Sequence, residues 1–199
     1  MTEGLNYLVS DVDAVKLGME LILSGLKNKY GLELDENFTD TPDRVSRLYD
    51  EIFSGIKDTQ KQISKILNSA FPTGYDQMIL LKDIEVFSMC PHHFLPVRYL
   101  ISVAYIPSEG GRVLGISKLA RLVEILAKRP VLQEQLTEDI TKNLLSLNIK
   151  GAACVVKGVH YCMVMRGVKQ SNAITITSSL KGAFLSKLEA RQEFLELIR

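Results

Sequence analysis

The chain of 199 residues is poor in cysteine and histidine, with three of each, and carries no marked excess of charge, at a formal net +1. Three unevenly spaced cysteines do not make a disulfide framework. The near balance of charge removes any whole-surface reason to expect nucleic acid or a membrane as partner, so an anionic ligand has to be held by a local cluster of cations. No apolar run approaches the roughly 18 residues that a membrane span requires. The first six residues, MTEGLN, lack the basic and apolar regions of a secretory signal, and the expectation is a protein of the reducing cytoplasm. What is present, 46% hydrophobic and 24% charged residues, suffices for one sizeable core or a core with a small appendage.

The scarce residues are concentrated. All three histidines and two of the three cysteines fall in two short clusters, Cys90-Pro91-His92-His93 and His160-Tyr161-Cys162. A single His or Cys in so apolar a chain is ordinarily a packed core residue. Two clusters at ligand spacing on separate segments favour a metal instead. Cys90 and His93 are three apart, as one tight turn needs to aim a thiolate and an imidazole at one ion, and His160 and Cys162 are two apart, on one face of an expected strand. Three protein ligands leave a tetrahedral ion an open position, as in a catalytic zinc site, and a structural site would need a fourth from His92 or His160. Cys154 lies in the apolar run Ala152-Ala153-Cys154-Val155-Val156 and reads as a buried, inert thiol.

Around these clusters the pattern divides into an N-terminal helical region, 1–75, and a mixed domain, 76–199. Apolar residues at helical spacing (Val12, Val15, Met19, Ile22, Leu26) predict a helix over 11–26. Thr41 as cap, Pro42 at the first position and the stripe Val45, Leu48, Tyr49, Ile52 predict a second, ending near Gly55. Arg44 and Arg47 lie off that stripe, on a solvated face or facing an anion held elsewhere in an assembly. Residues 78–89 and 96–106 read as strands, with the first ligand cluster between them. Two helices follow, one capped by Ser117 with core residues Leu119, Leu122, Val123 and Leu126, the other over 131–147 after Pro130. Strands over 152–165 and 173–178 and a helix over 186–198 complete a ββααββ order. The fold class is therefore α+β, an antiparallel sheet with helices covering one face.

Several of these segments together resemble GTP cyclohydrolase I. They are Cys90-Pro91-His92-His93-Phe94, Val103-Ala104-Tyr105-Ile106-Pro107, Leu114-Gly115-Ile116-Ser117-Lys118-Leu119-Ala120-Arg121, Arg129-Pro130 with Gln133-Glu134, and His160-Tyr161-Cys162 through Arg166-Gly167-Val168. The likeness runs in the family's order from Thr41-Pro42-Asp43-Arg44 to Arg191. It implies a tunnelling fold whose four-stranded units join around a pentameric barrel, two pentamers stacking into a decamer.

By the same resemblance, zinc is held by Cys90, His93 and Cys162, and its water opens the guanine imidazole ring of GTP. Formate leaves, and rearrangement gives 7,8-dihydroneopterin triphosphate. His160 is then the proton donor to the ring, His92 assists later transfers and Ser117 hydrogen bonds near the ribose. Glu134, with Gln133 beside it, reads the guanine edge, because one carboxylate can accept from both N1–H and the exocyclic amine. Lys118, Arg121 and Arg166 take the triphosphate, with Arg44 and Arg47 contributing from a neighbouring subunit.

Two departures stand out: Pro91 occupies the position where most members carry Glu, and Pro96-Val97-Arg98-Tyr99-Leu100-Ile101 runs where a Gly usually precedes Val-Ala-Tyr. Proline removes a carboxylate and a backbone donor beside the ligands, so the expectation is a variant with altered tuning of the zinc water or altered regulation. Alternatives are a diverted ring-opening enzyme of the same fold, for which Pro91 is the support, and a zinc-stabilised nucleotide-binding oligomer without turnover, against which the two free imidazoles argue.

Overall fold

The computed structural model of the chain describes residues 13–199. They fall into two compact units, the first ending at Ser54 and the second running from Gly55 to Arg199. In the first unit, α1 (Ala14–Tyr30) is capped by Asp13, whose Oδ1 accepts from the backbone N–H groups of Val15 and Lys16 at 3.1 and 3.0 Å. The helix expected over 11–26 thus runs one turn further. It stops where Gly31, at φ 71°, adopts the left-handed conformation that closes a helix without a Cβ penalty. The first two positions of that expected helix, with Val12, lie outside the described residues.

After a 3-10 turn at Glu36–Phe38 comes α2 (Thr41–Ile52). Thr41 is its first helical residue rather than its cap, which falls at Asp40, and Pro42 is buried. Lys16 pairs with Asp43 at 2.9 Å between α1 and α2. Arg44 and Arg47 are exposed on α2, Arg44 within 3.4 Å of Asp40.

The second unit opens with α3 (Thr59–Asn68), so the expected N-terminal helical region of 1–75 includes both the first unit and this helix. A two-residue strand β1 (Phe71–Pro72) pairs with β4 (Arg112–Val113). The main sheet consists of β2 (Ile79–Met89), β3 (Pro96–Pro107), β5 (Ile149–His160) and β6 (Thr175–Gly182), all antiparallel in the spatial order β2-β3-β5-β6. Between β4 and β5 lie α4 (Ile116–Ala127) and α5 (Gln133–Leu144). The short α6 (Tyr161–Val164) follows β5, and α7 (Ala183–Ser186) and α8 (Leu188–Leu197) follow β6.

Side chains alternate across a strand, so β3 sends Val97, Tyr99, Ile101, Val103 and Tyr105 to one face. There they pack with Leu119, Leu122, Val123 and Leu126 of α4, with Leu136, Ile140 and Leu144 of α5, and with Ala152, Cys154 and Val156 of β5. The opposite face is not bare. Ala104, Ala153 and Val155 form a second cluster with Phe184, Phe194 and Ile198, so the C-terminal helices cover part of it. This corrects the expectation of helices on one face only: the apolar run 152–156 is buried on both sides, as a continuous rather than alternating strand pattern requires. The C-terminal helix expected over 186–198 is α8, and the separate short α7 precedes it, the two parted by Lys187 in extended conformation.

Polar bonds seat α5 on the sheet. Thr141 Oγ1 lies 2.8 Å from Ser179 Oγ, which donates to Glu138 Oε2 at 2.8 Å, and Lys181 Nζ lies 2.8 Å from Glu138 Oε1. Lys181 and Ser179 hold the Glu138 carboxyl below its ordinary value near 4.5. A lowered folded-state pKa stabilises the native chain above that ordinary value, and the contribution is lost as pH falls through the lower folded value. Glu138→Gln should therefore lower stability at neutral pH and flatten its loss as pH falls below that ordinary value, measured as urea midpoints at successively lower pH. Equal pH slopes for variant and parent would reject the linkage. Among the described residues, no helix is long and apolar enough to cross a membrane.

Candidate metal centre and its surroundings

The turn between β2 and β3 is closed by backbone bonds from Cys90 N to Leu95 O and from Phe94 N to Cys90 O, both 2.9 Å. It presents Cys90 and His93 at the end of the sheet. On the neighbouring strand, β5 ends where its partner runs out: the last pair is Val97 with His160, and β3 begins at Pro96. The chain then coils into α6, which carries Cys162. Cys162 therefore sits on a helical turn, not on the strand face expected for it, yet the turn delivers it to the same place. Cys162 Sγ lies 3.9 Å from Cys90 Sγ, and Cys90 Sγ lies 3.8 Å from His93 Nδ1. All three donor atoms fall within 4.8 Å of one another.

Zinc with sulfur ligands at about 2.3 Å would set the edge of its tetrahedron near 3.8 Å. The two sulfurs and the ring nitrogen thus fit a metal of this size and softness, with one corner left to solvent. Burial, followed by the neighbouring Cys90, pushes the Cys162 thiol up from its ordinary value. Cys154 is wholly buried in β5 and raised by that burial alone, as the sequence led us to expect of an inert thiol.

The remaining histidines differ in setting. His92 is exposed, its ring edge-on to His93 at 6.3 Å between centroids. His160 is half-buried, and its Nε2 lies 2.8 Å from Gln133 Oε1. Burial pushes its pKa down, opposed by the charge of Glu134. Glu134 is exposed in the first turn of α5, while Gln133 beside it is 2% exposed and faces the sheet.

Arg166 follows α6 and donates from Nη1 to Nε2 of His93 at 2.5 Å, bringing one expected phosphate-binding cation directly onto an expected metal ligand. Ser117 is the second residue of α4, whose capping position is Gly115, so Ser117 does not act as the expected cap. Ser117 and Arg121 are exposed and Lys118 half-exposed along the first turns of α4. Among the described residues, none of these three hydrogen bonds to the Cys–His cluster.

Two residues of this region escape a reading by composition. Tyr99 is fully buried, stands edge-on to His160 at 6.1 Å, and its hydroxyl has no hydrogen-bond partner. Burial, then the charges of Cys90, Glu134 and Cys162, push this phenol far up. Gly158 pairs with Tyr99 across the strands, and a Cβ there would lie 2.8 Å from the Tyr99 ring and collide with Gln133 Oε1. A glycine inside an otherwise apolar strand is the sequence signal for such a close approach.

The sequence profile of the GTP cyclohydrolase I family matches residues 22–199. A GTP cyclohydrolase 1 of Thermoanaerobacter pseudethanolicus is 46% identical over 164 residues, covering 82% of this chain and 85% of that protein. One of Dehalococcoides mccartyi is 41% identical over 191 residues, covering 95% and 97%. A GTP cyclohydrolase 1 of Clostridium perfringens is 40% identical over 190 residues, covering 94% and 98%. With the family profile over residues 22–199 and these likenesses over most of its length, the chain belongs to the GTP cyclohydrolase I family.

Proposed function

We propose that this protein opens the imidazole ring of GTP by hydrolysis, releases formate and rearranges the remainder to 7,8-dihydroneopterin triphosphate, with zinc as its metal. The observation that carries the reading is the meeting of Cys90, His93 and Cys162 from two distant segments beside His160. Cys90, His93 and Cys162 would hold the zinc, and the chemistry it would supply there is Lewis acidity towards a water that attacks guanine C8.

The chain's own groups do the rest. His160, anchored at the end of β5, hands a proton to the ring nitrogen that gains charge as the ring opens. His92, exposed next to the ligand His93, is free to move protons in the later rearrangement. Glu134 accepts from the two donors of the guanine edge, and Ser117 hydrogen bonds near the ribose. Lys118 and Arg121, at the start of α4, and Arg166 hold the triphosphate, with the N-terminus of α4 adding its own attraction for an anion. Arg44 and Arg47 serve the site of another copy.

That last role belongs to a tunnelling-fold ring of five subunits, two rings making a decamer. The open sheet supports it: β2 and β6 are both edge strands, and Phe87, Ile174 and Ile176 are more than half exposed on or beside them.

Incubation of the zinc-loaded protein with GTP tests the function. Formate together with a product that becomes a fluorescent pterin on oxidation is expected. Formate without a pterin would place the protein in a diverted branch, and no reaction in a zinc-replete oligomer would overturn the reading. Glu134→Gln should reduce discrimination between GTP and inosine triphosphate, which lacks the amine, by about 10- to 100-fold, as for loss of a charged hydrogen-bonding pair. Inhibition by free triphosphate should be nearly unchanged. An unaltered GTP/inosine triphosphate ratio of kcat/KM would remove Glu134 from the base-reading role.

A further inference from the structure

The amide of Gln133 has its orientation settled by its neighbours. Its Nε2 lies 3.0 Å from Val156 O, 3.0 Å from Thr175 O and 3.2 Å from Thr177 Oγ1. Two of these are carbonyls, which only accept. The third is committed as well: Thr137 Oγ1 donates to Gln133 O at 2.7 Å, so the 2.6 Å bond between Thr137 Oγ1 and Thr177 Oγ1 uses the proton of Thr177. Thr177 therefore accepts from the amide. Three acceptors around one end of a side-chain amide require its NH₂ there, and the carbonyl oxygen must then point the other way.

That oxygen is the atom 2.8 Å from His160 Nε2. A carbonyl oxygen cannot donate, so Nε2 carries a proton, and in the neutral ring Nδ1 is left with its lone pair. Gly158 leaves the space in which Oε1 sits, and Tyr99 walls the ring from its edge. Gln133 is thereby held by β5, β6 and α5 at once, and His160 inherits that rigidity.

We propose that Gln133 is a positioning residue for His160, holding the ring with Nε2–H bound to the protein and Nδ1 bare in the neutral ring, rather than a reader of the guanine base. The proposal rests on the catalytic role given to His160 above and specifies the tautomer in which its neutral ring is held.

The test is ¹⁵N magic-angle-spinning NMR on the zinc-loaded protein labelled at histidine, with the His160 signals identified by their absence in His160→Ala. A protonated Nε2 and a bare Nδ1 in the neutral ring are expected, and a protonated Nδ1 would overturn the proposal. Kinetics add a second readout. Gln133→Leu should lower kcat by about tenfold or more while KM for GTP stays within about twofold. Gln133→Glu, which keeps an acceptor towards His160, should recover part of that loss. A raised KM with unchanged kcat in Gln133→Leu would return Gln133 to substrate binding. Should Gln133→Leu fail to fold, the spectrum of the parent protein still decides. Absence of formate release from the parent would sink the cyclohydrolase reading alone, because the position of the proton on His160 is read without turnover.

Discussion

His160→Ala should keep its full complement of zinc and lose formate release by about 10²- to 10⁴-fold, the range that a positioned acid or base contributes. The expectation separates two roles that neighbour each other in the chain. His160 closes β5 and is bonded through Nε2 to Gln133, whereas Cys162 lies beyond the strand on α6 with its sulfur facing Cys90. Removing the imidazole therefore leaves the three metal donors in place. Metal analysis and formate release on the same preparation make the comparison. Metal loss in His160→Ala would make His160 a ligand, and unchanged formate release would reject its role as acid.

Cys162→Ser should do the opposite and remove metal and activity together. Lewis-acid stabilisation by a metal is worth several kcal/mol, so the rate should fall about 10³-fold or more. Full metal content in this variant would show that the donor set is wrong. A chelator should reproduce the loss in the parent protein, and added zinc should reverse it. The stripped protein carries its own hazard, because the two sulfurs are only 3.9 Å apart and a small approach brings them to bonding distance. Under mild oxidant the metal-free protein should titrate for one thiol, that of Cys154, whereas the zinc-loaded protein should titrate for three under denaturing conditions. Three thiols in the oxidised, metal-free sample would mean that Cys90 and Cys162 do not meet.

Much of this site can be read from the chain because its donors are rare residues in short clusters. Cys90 and His93 belong to one turn, whose geometry is local, and the strands either side of it announce themselves by β-branched and aromatic content. The position of Cys162 resisted the same logic. Its strand ends at His160 because the neighbouring strand begins at Pro96, and a partner's starting point is not written in the local sequence. The surroundings of Gln133 were hidden in a similar way. Next to Glu134 at the start of a helix it looks like a substrate contact, but its amide is claimed by Val156 and Thr175, which lie 23 and 42 positions away. Tyr99 reads as ordinary core, and only the packing reveals that its ring borders an imidazole. The second cluster around Phe184 and Phe194 was hidden because an apolar run has no preferred face.

Cys90 and Cys162 are 72 positions apart, and an ion that binds both is a removable crosslink as much as a reagent. It ties the turn after β2 to the turn after β5, the two places where the sheet runs out of partners at that end. Because the unfolded chain holds no such preformed site, every increment of binding is an increment of folding stability, about 4 kcal/mol when free metal exceeds its dissociation constant a thousandfold. Scarcity of the metal would then thin the protein as well as silence it, with proteolysis taking the copies whose strand ends come loose.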